Sequence, residues 1–149
     1  MKCVTDARFE SGLLDRITAD PDRAMQNLGQ TLKHDSTTSV VKIREDGQCW
    51  VIKRYNTKNT WHALRRTVRR SRAANCWHMS ALLTAAGVRV PAPVAYMEQR
   101  IGPLHGRSYF VYKYVDAEHL LTYMMTHSNT CDIDDVIQKV ADTFTALYS

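Results

Sequence analysis

Lys53 is the residue whose surroundings first suggest chemistry. It lies in the run Val51-Ile52-Lys53-Arg54-Tyr55, whose composition predicts a strand. On that strand Cys49, Val51, Lys53 and Tyr55 share one face and Trp50, Ile52 and Arg54 the other, so a cation stands in the middle of an otherwise apolar face. A strand lysine more often snorkels at a sheet edge, but one set over a cleft can neutralise phosphate. From Gly47 to Met97 there is no Asp or Glu, while Lys53, Arg54, Lys58, Arg65, Arg66, Arg69, Arg70, Arg72 and Arg89 all fall inside that stretch. A basic block of this length implies a face that meets phosphate, whether of a nucleotide, a nucleic acid or an anionic lipid surface, or else a solvated helix face. Upstream, Ser36, Thr37 and Thr38 form a polar loop rich in hydroxyls.

Positioning these groups requires a scaffold, and the chain has the means to build one. Its 149 residues are 44% hydrophobic and 23% charged, with 20 Lys+Arg against 15 Asp+Glu and a formal charge of +5. That length supports a core without a metal or disulfide staple, and the apolar fraction excludes a disordered chain. No apolar run approaches a membrane span, and the mixed start with Lys2, Asp6, Arg8 and Glu10 is not a secretory signal. Cys3, Cys49, Cys76 and Cys131 show no paired spacing, which argues against a zinc knuckle or a disulfide framework. The expectation is a soluble, cytoplasmic, reduced protein.

Asp20-Pro21 marks a helix start, followed by a run to Leu32 with Met25, Leu28 and Leu32 on one face. Residues 34–38 are expected as loop. Val40 to Glu45 and Gln48 to Tyr55 predict a hairpin closed by Asp46-Gly47. Residues 60–86 are expected to be helical, as one element or as two joined near Ser71, with Trp61, Leu64 and Val68 at helical spacing and a nearly apolar second half packed on more than one side. Gly87 is the expected stop. Val90-Pro91-Ala92-Pro93 is a stiff connector to strands Val94 to Gln99 and Ser108 to Val115, with Gly102-Pro103 and Gly106 in the turn between them. Helices are expected over Ala117 to His127 and Asp132 to Tyr148. This order predicts an α+β fold.

These segments resemble the N-terminal lobe of the protein-kinase fold and, more narrowly, the lipopolysaccharide kinase family, which phosphorylates Kdo or heptose sugars of the lipopolysaccharide core. The resemblance covers about residues 20 to 125. It rests on Leu32-Lys33 with Ser39-Val40; Val51-Ile52-Lys53-Arg54-Tyr55-Asn56; His62-Ala63-Leu64-Arg65-Arg66 with Ser71-Arg72-Ala73 and Trp77; and Ala86-Gly87-Val88 with Pro91, Pro93 and Val94. It implies ATP and Mg as cofactors. Lys53 would lie on the nucleotide phosphates, with Val51 beside it and Ser36, Thr37 and Thr38 in the covering loop. Tyr114 and Val115 would lie in the stretch that passes the adenine. It further implies a nucleotide lobe over residues 1–116 and the beginning of a helical lobe over 117–149.

Several family features have no counterpart. No acid follows Lys53 on the next helix, where kinases carry a Glu. His105-Gly106-Arg107 lacks the Asp of the family triplet, Asn129 has Met124 rather than Asp five residues before it, and there is no Asp-Phe-Gly. The chain is therefore expected to be a truncated or split kinase, inactive alone, with a missing C-terminal lobe as one partner. Arg65, Arg66, Arg69 and Arg70 are candidates for contact with lipopolysaccharide or the anionic inner-membrane surface, or else the ordinary surface of the lobe. Two other readings are a pseudokinase-like regulatory lobe and a basic nucleic-acid-binding module. No helix-turn-helix, zinc or RNA-recognition signature accompanies the arginines, which argues against the last.

Overall fold

The computed structural model describes residues 1–56, 70–101, 104–127 and 132–148. Among the described residues the fold is α+β, built on a six-stranded antiparallel sheet of order β1-β5-β6-β4-β3-β2. The strands are β1 (Lys2–Thr5), β2 (Gly29–His34), β3 (Thr38–Glu45), β4 (Gln48–Tyr55), β5 (Pro93–Ile101) and β6 (Leu104–Lys113). The helices are α1 (Gly12–Ala19), α2 (Pro21–Leu28), α3 (Arg72–Ala85), α4 (Leu120–Thr126) and α5 (Asp132–Tyr148).

The hairpin forms where expected. Asp46 and Gly47 both take positive φ, at 49° and 73°, the geometry of a type I′ turn. That turn aligns Val51 with Lys42, Lys53 with Val40 and Tyr55 with Thr38. Asp20 divides the first two helices. Its N–H closes α1 on Arg16, and its carboxylate accepts from the Arg23 N–H at 3.0 Å to start α2, with Pro21 in the first turn.

The helix expected to reach Leu32 stops at Leu28, and Gly29 begins β2 instead. A Cβ at Gly29 would collide with the Val41 side chain and the Met25 carbonyl, so the chain passes tightly between α2 and β3. Leu32 misled the periodicity because it is exposed on an edge strand. The first strand was missed for a related reason: β1 is four residues long, largely exposed, and exists by pairing with β5. The next two strands extend beyond expectation, to Ile101 and from Leu104, so Gly106 lies inside β6 rather than in a turn. A Cβ there would come within 3.1 Å of Gln99 Cβ on the paired strand. β6 ends at Lys113, short of Val115, and α4 begins at Leu120 rather than near Ala117.

The chain divides into two compact units, residues 1–80 with 91–114 and residues 81–90 with 115–149. In the first unit α1 and α2 cover one sheet face, burying Leu13, Leu14, Ile17 and Met25 with Ile43, Trp50, Ile52, Met97 and Val111. The start of α3 covers the other face through Ala73 and Ala74, packed with Tyr55, Tyr96 and Phe110. The expectation that residues 73–86 are packed on more than one side is not met. Ala73 and Ala74 are the buried residues of α3, while Met79 and Leu82 are 44% and 63% exposed. Apolar content does not itself bury a helix; here the sheet buries its first turn and partly covers Cys76 and Trp77 of the next. The expected helix over residues 60–71, with Trp61, Leu64, Val68, Arg65, Arg66 and Arg69, falls almost wholly outside the described residues.

In the second unit Gly87 (φ 78°) ends α3 in a Schellman arrangement: its N–H donates to Thr84 and the Val88 N–H to Leu83. Leu121 and Met125 of α4, and Ile137 and Phe144 of α5, are exposed. No helix among the described residues is long and apolar enough to cross a membrane.

Candidate functional site

Strand alternation places three rows of side chains on one face of the first unit. Lys42, Val51 and Tyr112 align across β3, β4 and β6; the next row is Val40, Lys53, Phe110 and Tyr96; the third is Thr38, Tyr55, Ser108 and the buried Glu98. Tyr114 extends this face, because the Lys42 ammonium lies 3.6 Å from its ring centroid. Val51 is buried, Lys53 half-buried.

Beside the third row opens a cavity of about 740 Å3, lined by Thr38, Lys53, Tyr55, Arg70, Ser71, Arg72, Asn75 and Cys76. Its outer wall is the beginning of α3. Ser71 caps that helix, accepting the Ala74 N–H at 3.1 Å on its hydroxyl and the Asn75 N–H at 2.9 Å on its carbonyl. The small buried Ala73 and Ala74 let this turn approach the sheet closely, so Arg70 and Arg72 are held near Lys53. Tyr55 is shared between the two walls. Its ring centroid lies 5.4 Å from Lys53 Nζ and 6.0 Å from Arg72 Cζ, and its hydroxyl lies 3.2 Å from Cys76 Sγ. Burial, and then the contact with Cys76, push the Tyr55 hydroxyl well above its ordinary range, so it stays neutral. Among the described residues Lys53 has no acidic partner, and Cys76 lines the cavity on the helix side.

The hydroxyl loop behaves differently from a phosphate cradle. Asp35 Oδ1 accepts from the Thr37 N–H at 2.8 Å, the Thr37 hydroxyl at 2.7 Å and the Thr38 N–H at 2.8 Å. The Thr37 hydrogen bonds lead in holding the Asp35 carboxyl down at about 2. The concavity of N–H groups that could receive an external anion is thus filled by the loop's own carboxylate. Of the three candidate hydroxyl residues Thr38 lines the cavity, Thr37 is engaged with Asp35, and Ser36 is exposed in the turn. The Tyr114 N–H donates to the Cys49 carbonyl at 2.8 Å, and Val115 is exposed beyond the end of the strand.

The opposite face holds its charges closed. Asp22 accepts from Arg54 at 3.0 Å, Arg107 at 2.7 Å and the Tyr109 hydroxyl at 3.0 Å. Arg54 also donates to Ser39 at 3.2 Å, which lies 2.8 Å from His34 Nδ1. Burial raises the Asp22 carboxyl, but hydrogen bonds from Arg54 and Tyr109 and the charges of both arginines outweigh it, leaving a net lowering. Tyr109 is pushed up to about 12, by burial and then by its bond to Asp22.

Strand alternation in the sequence puts Lys53 and Val51 on one face; the structure adds Thr38 and Tyr114 to that face. It also brings to the cavity Arg72 and Asn75, which the sequence does not single out for it, together with Arg70, in sequence a candidate for lipopolysaccharide or membrane contact or for ordinary lobe surface. The acid-free block from Gly47 to Met97 was the signal that contained Arg70, Arg72 and Asn75. For magnesium the donor set does not fit. The cavity offers hydroxyls, an amide and cations but no carboxylate, and among the described residues no group of three or more His, Cys, Asp and Glu is placed to hold a metal.

The fold matches a solved structure of WaaP in complex with acyl carrier protein, with a TM-score of 0.50 and 20% identity over 87% of this chain and 47% of that one. This chain spans about half the length of that protein and shares its kinase-like fold over the matching part. No protein-family model matches this chain, and no curated protein matches it.

Proposed function

We propose that this chain provides the nucleotide-binding lobe of a lipopolysaccharide-kinase-like protein. The parent activity in this reading is ATP-dependent phosphoryl transfer to a Kdo or heptose sugar. The observation that carries it is the cavity where Lys53, Arg70 and Arg72 converge without an acid. Phosphoryl transfer depends on positioning and on neutralising phosphate charge, and three cations beside neutral donors suit that task. Val51, Tyr112 and Tyr114 supply an apolar and aromatic surface on the same face for the base. No residue of this chain stands in the role of the Asp that deprotonates the acceptor, so the chain is expected to bind nucleotide without transferring phosphoryl by itself. An anionic membrane or lipopolysaccharide surface meeting Arg65, Arg66 and Arg69, and a carrier-protein partner like that of WaaP, belong to the same reading.

Calorimetric titration with ATP, with adenosine as control, tests it. Lys53→Ala should weaken ATP binding about tenfold, the worth of one charge-assisted contact. Equal affinity in both proteins, or no binding by either, overturns the proposal.

A further inference from the structure

Among the described residues that line it, the charge around the cavity is one-sided. Lys53, Arg70 and Arg72 contribute cations, Thr38, Ser71 and Asn75 contribute neutral groups, and Tyr55 and Cys76 are occupied with each other. Asp35, the acid next to the loop, has one oxygen taken by three donors of its own turn and lies 3.6 Å from Lys33 through the other. A magnesium ion needs oxygen ligands, in proteins mostly carboxylates and phosphates, and fixed cations repel it. Magnesium already carried on a triphosphate cancels part of the negative charge that draws the phosphate to this cavity.

We infer that the cavity takes the phosphate chain of a nucleotide in its metal-free form, with Arg70 and Arg72 supplying the countercharge a divalent cation would otherwise bring. This rests on the nucleotide reading above and specifies the state of the ligand. Arginine suits the role because its planar fork holds two phosphate oxygens at once. Arg70 and Arg72 are both exposed, so they can close on a phosphate without disturbing the packed helix start at Ala73 and Ala74. The Tyr55 ring, with Lys53 and Arg72 both within reach, keeps these two cations beside the same cavity.

Titration of the whole chain with ATP and, separately, with sodium tripolyphosphate, each in excess chelator and in excess magnesium chloride at matched ionic strength, tests this. Both ligands should bind at least about threefold more tightly in chelator, as expected when like charge is removed from a cationic site. The double variant Arg70→Ala, Arg72→Ala should lose that preference while keeping the wild-type circular dichroism spectrum. Should it fail to fold, Arg70→Gln and Arg72→Gln singly should each reduce the preference. Equal or tighter binding with magnesium overturns the inference. ATP that binds only with magnesium does so while leaving the nucleotide reading standing, whereas failure of both ligands in both conditions removes both. Tripolyphosphate binding without ATP binding overturns the nucleotide as the source of the phosphate. Arginine variants that retain the full preference overturn the role of those two side chains.

Discussion

Arg54 and Lys53 are neighbours on one strand, yet they belong to two different kinds of surface. Arg54 faces α2, where Asp22 receives it, with Ser39 of β3 as a second acceptor, and its side chain is 20% exposed. Lys53 faces the other way, into a cavity whose described lining contains Arg70 and Arg72 but no acid. The first face joins α1 and α2 to the sheet with an apolar core and a paired ionic cluster. The second gathers Lys53, Arg70 and Arg72 around one cavity with no acid in its described lining. A paired charge thus joins helix to sheet on one face, while on the other the cations around the cavity carry the proposed nucleotide reading.

Three substitutions separate the two faces. The largest effect is expected from Ile52→Ala, which empties a fully buried position between α1, α2 and the sheet. It should destabilise the protein by about 2–5 kcal/mol in denaturant unfolding. A loss below about 1 kcal/mol would mean that this face is not the packed one.

Asp22→Asn comes next, at about 2 kcal/mol near neutral pH, because it leaves Arg54 partly buried without its countercharge. The Asp22 carboxyl is held below its ordinary value in the folded protein. Its contribution is therefore fully present above the unfolded value of about 3.9, and is lost as the pH falls through that value and on through the lower folded one. Wild type and variant should begin to converge as the pH falls below about 4, and meet only below the lower folded value. A gap that stays constant down to pH 3 would show that the cluster is not what the variant has lost.

Smallest is Tyr55→Phe. It keeps the ring between Lys53 and Arg72 but removes the hydroxyl at Cys76, so thermal unfolding should register a loss of about 0.5–1 kcal/mol. ATP affinity should stay within about twofold, since the hydroxyl contributes no charge to the cavity. A tenfold loss would make the hydroxyl a ligand contact and redraw the boundary between the two faces.

Much of this was legible in the chain itself. Asp46-Gly47 specified the hairpin because only that turn chemistry accepts two successive positive φ angles. Alternation along β4 then separated Lys53 from Arg54, since a pleated strand sends successive side chains to opposite faces. Asp20-Pro21 and Gly87 set helix limits by capping, which is local physics. The kinase-like order of elements was readable because each element carries its own periodicity.

What the chain could not disclose depended on partners distant in sequence. β1 and β2 are edge strands whose pairing, not their composition, makes them strands. Asp22 meets Arg107 and Tyr109 across more than eighty positions, and nothing local announces that meeting. The hydroxyls of residues 36–38 invited a phosphate, but only the folded turn shows Asp35 already taking the Thr37 and Thr38 donors. Arg72 stood in the basic block all along; the small residues Ala73 and Ala74 bring it to Lys53 by letting a helix lie close on the sheet. Local sequence determined which elements form and which way their side chains point. Tertiary packing decided which charges were answered by a partner and which were left to face the cavity together.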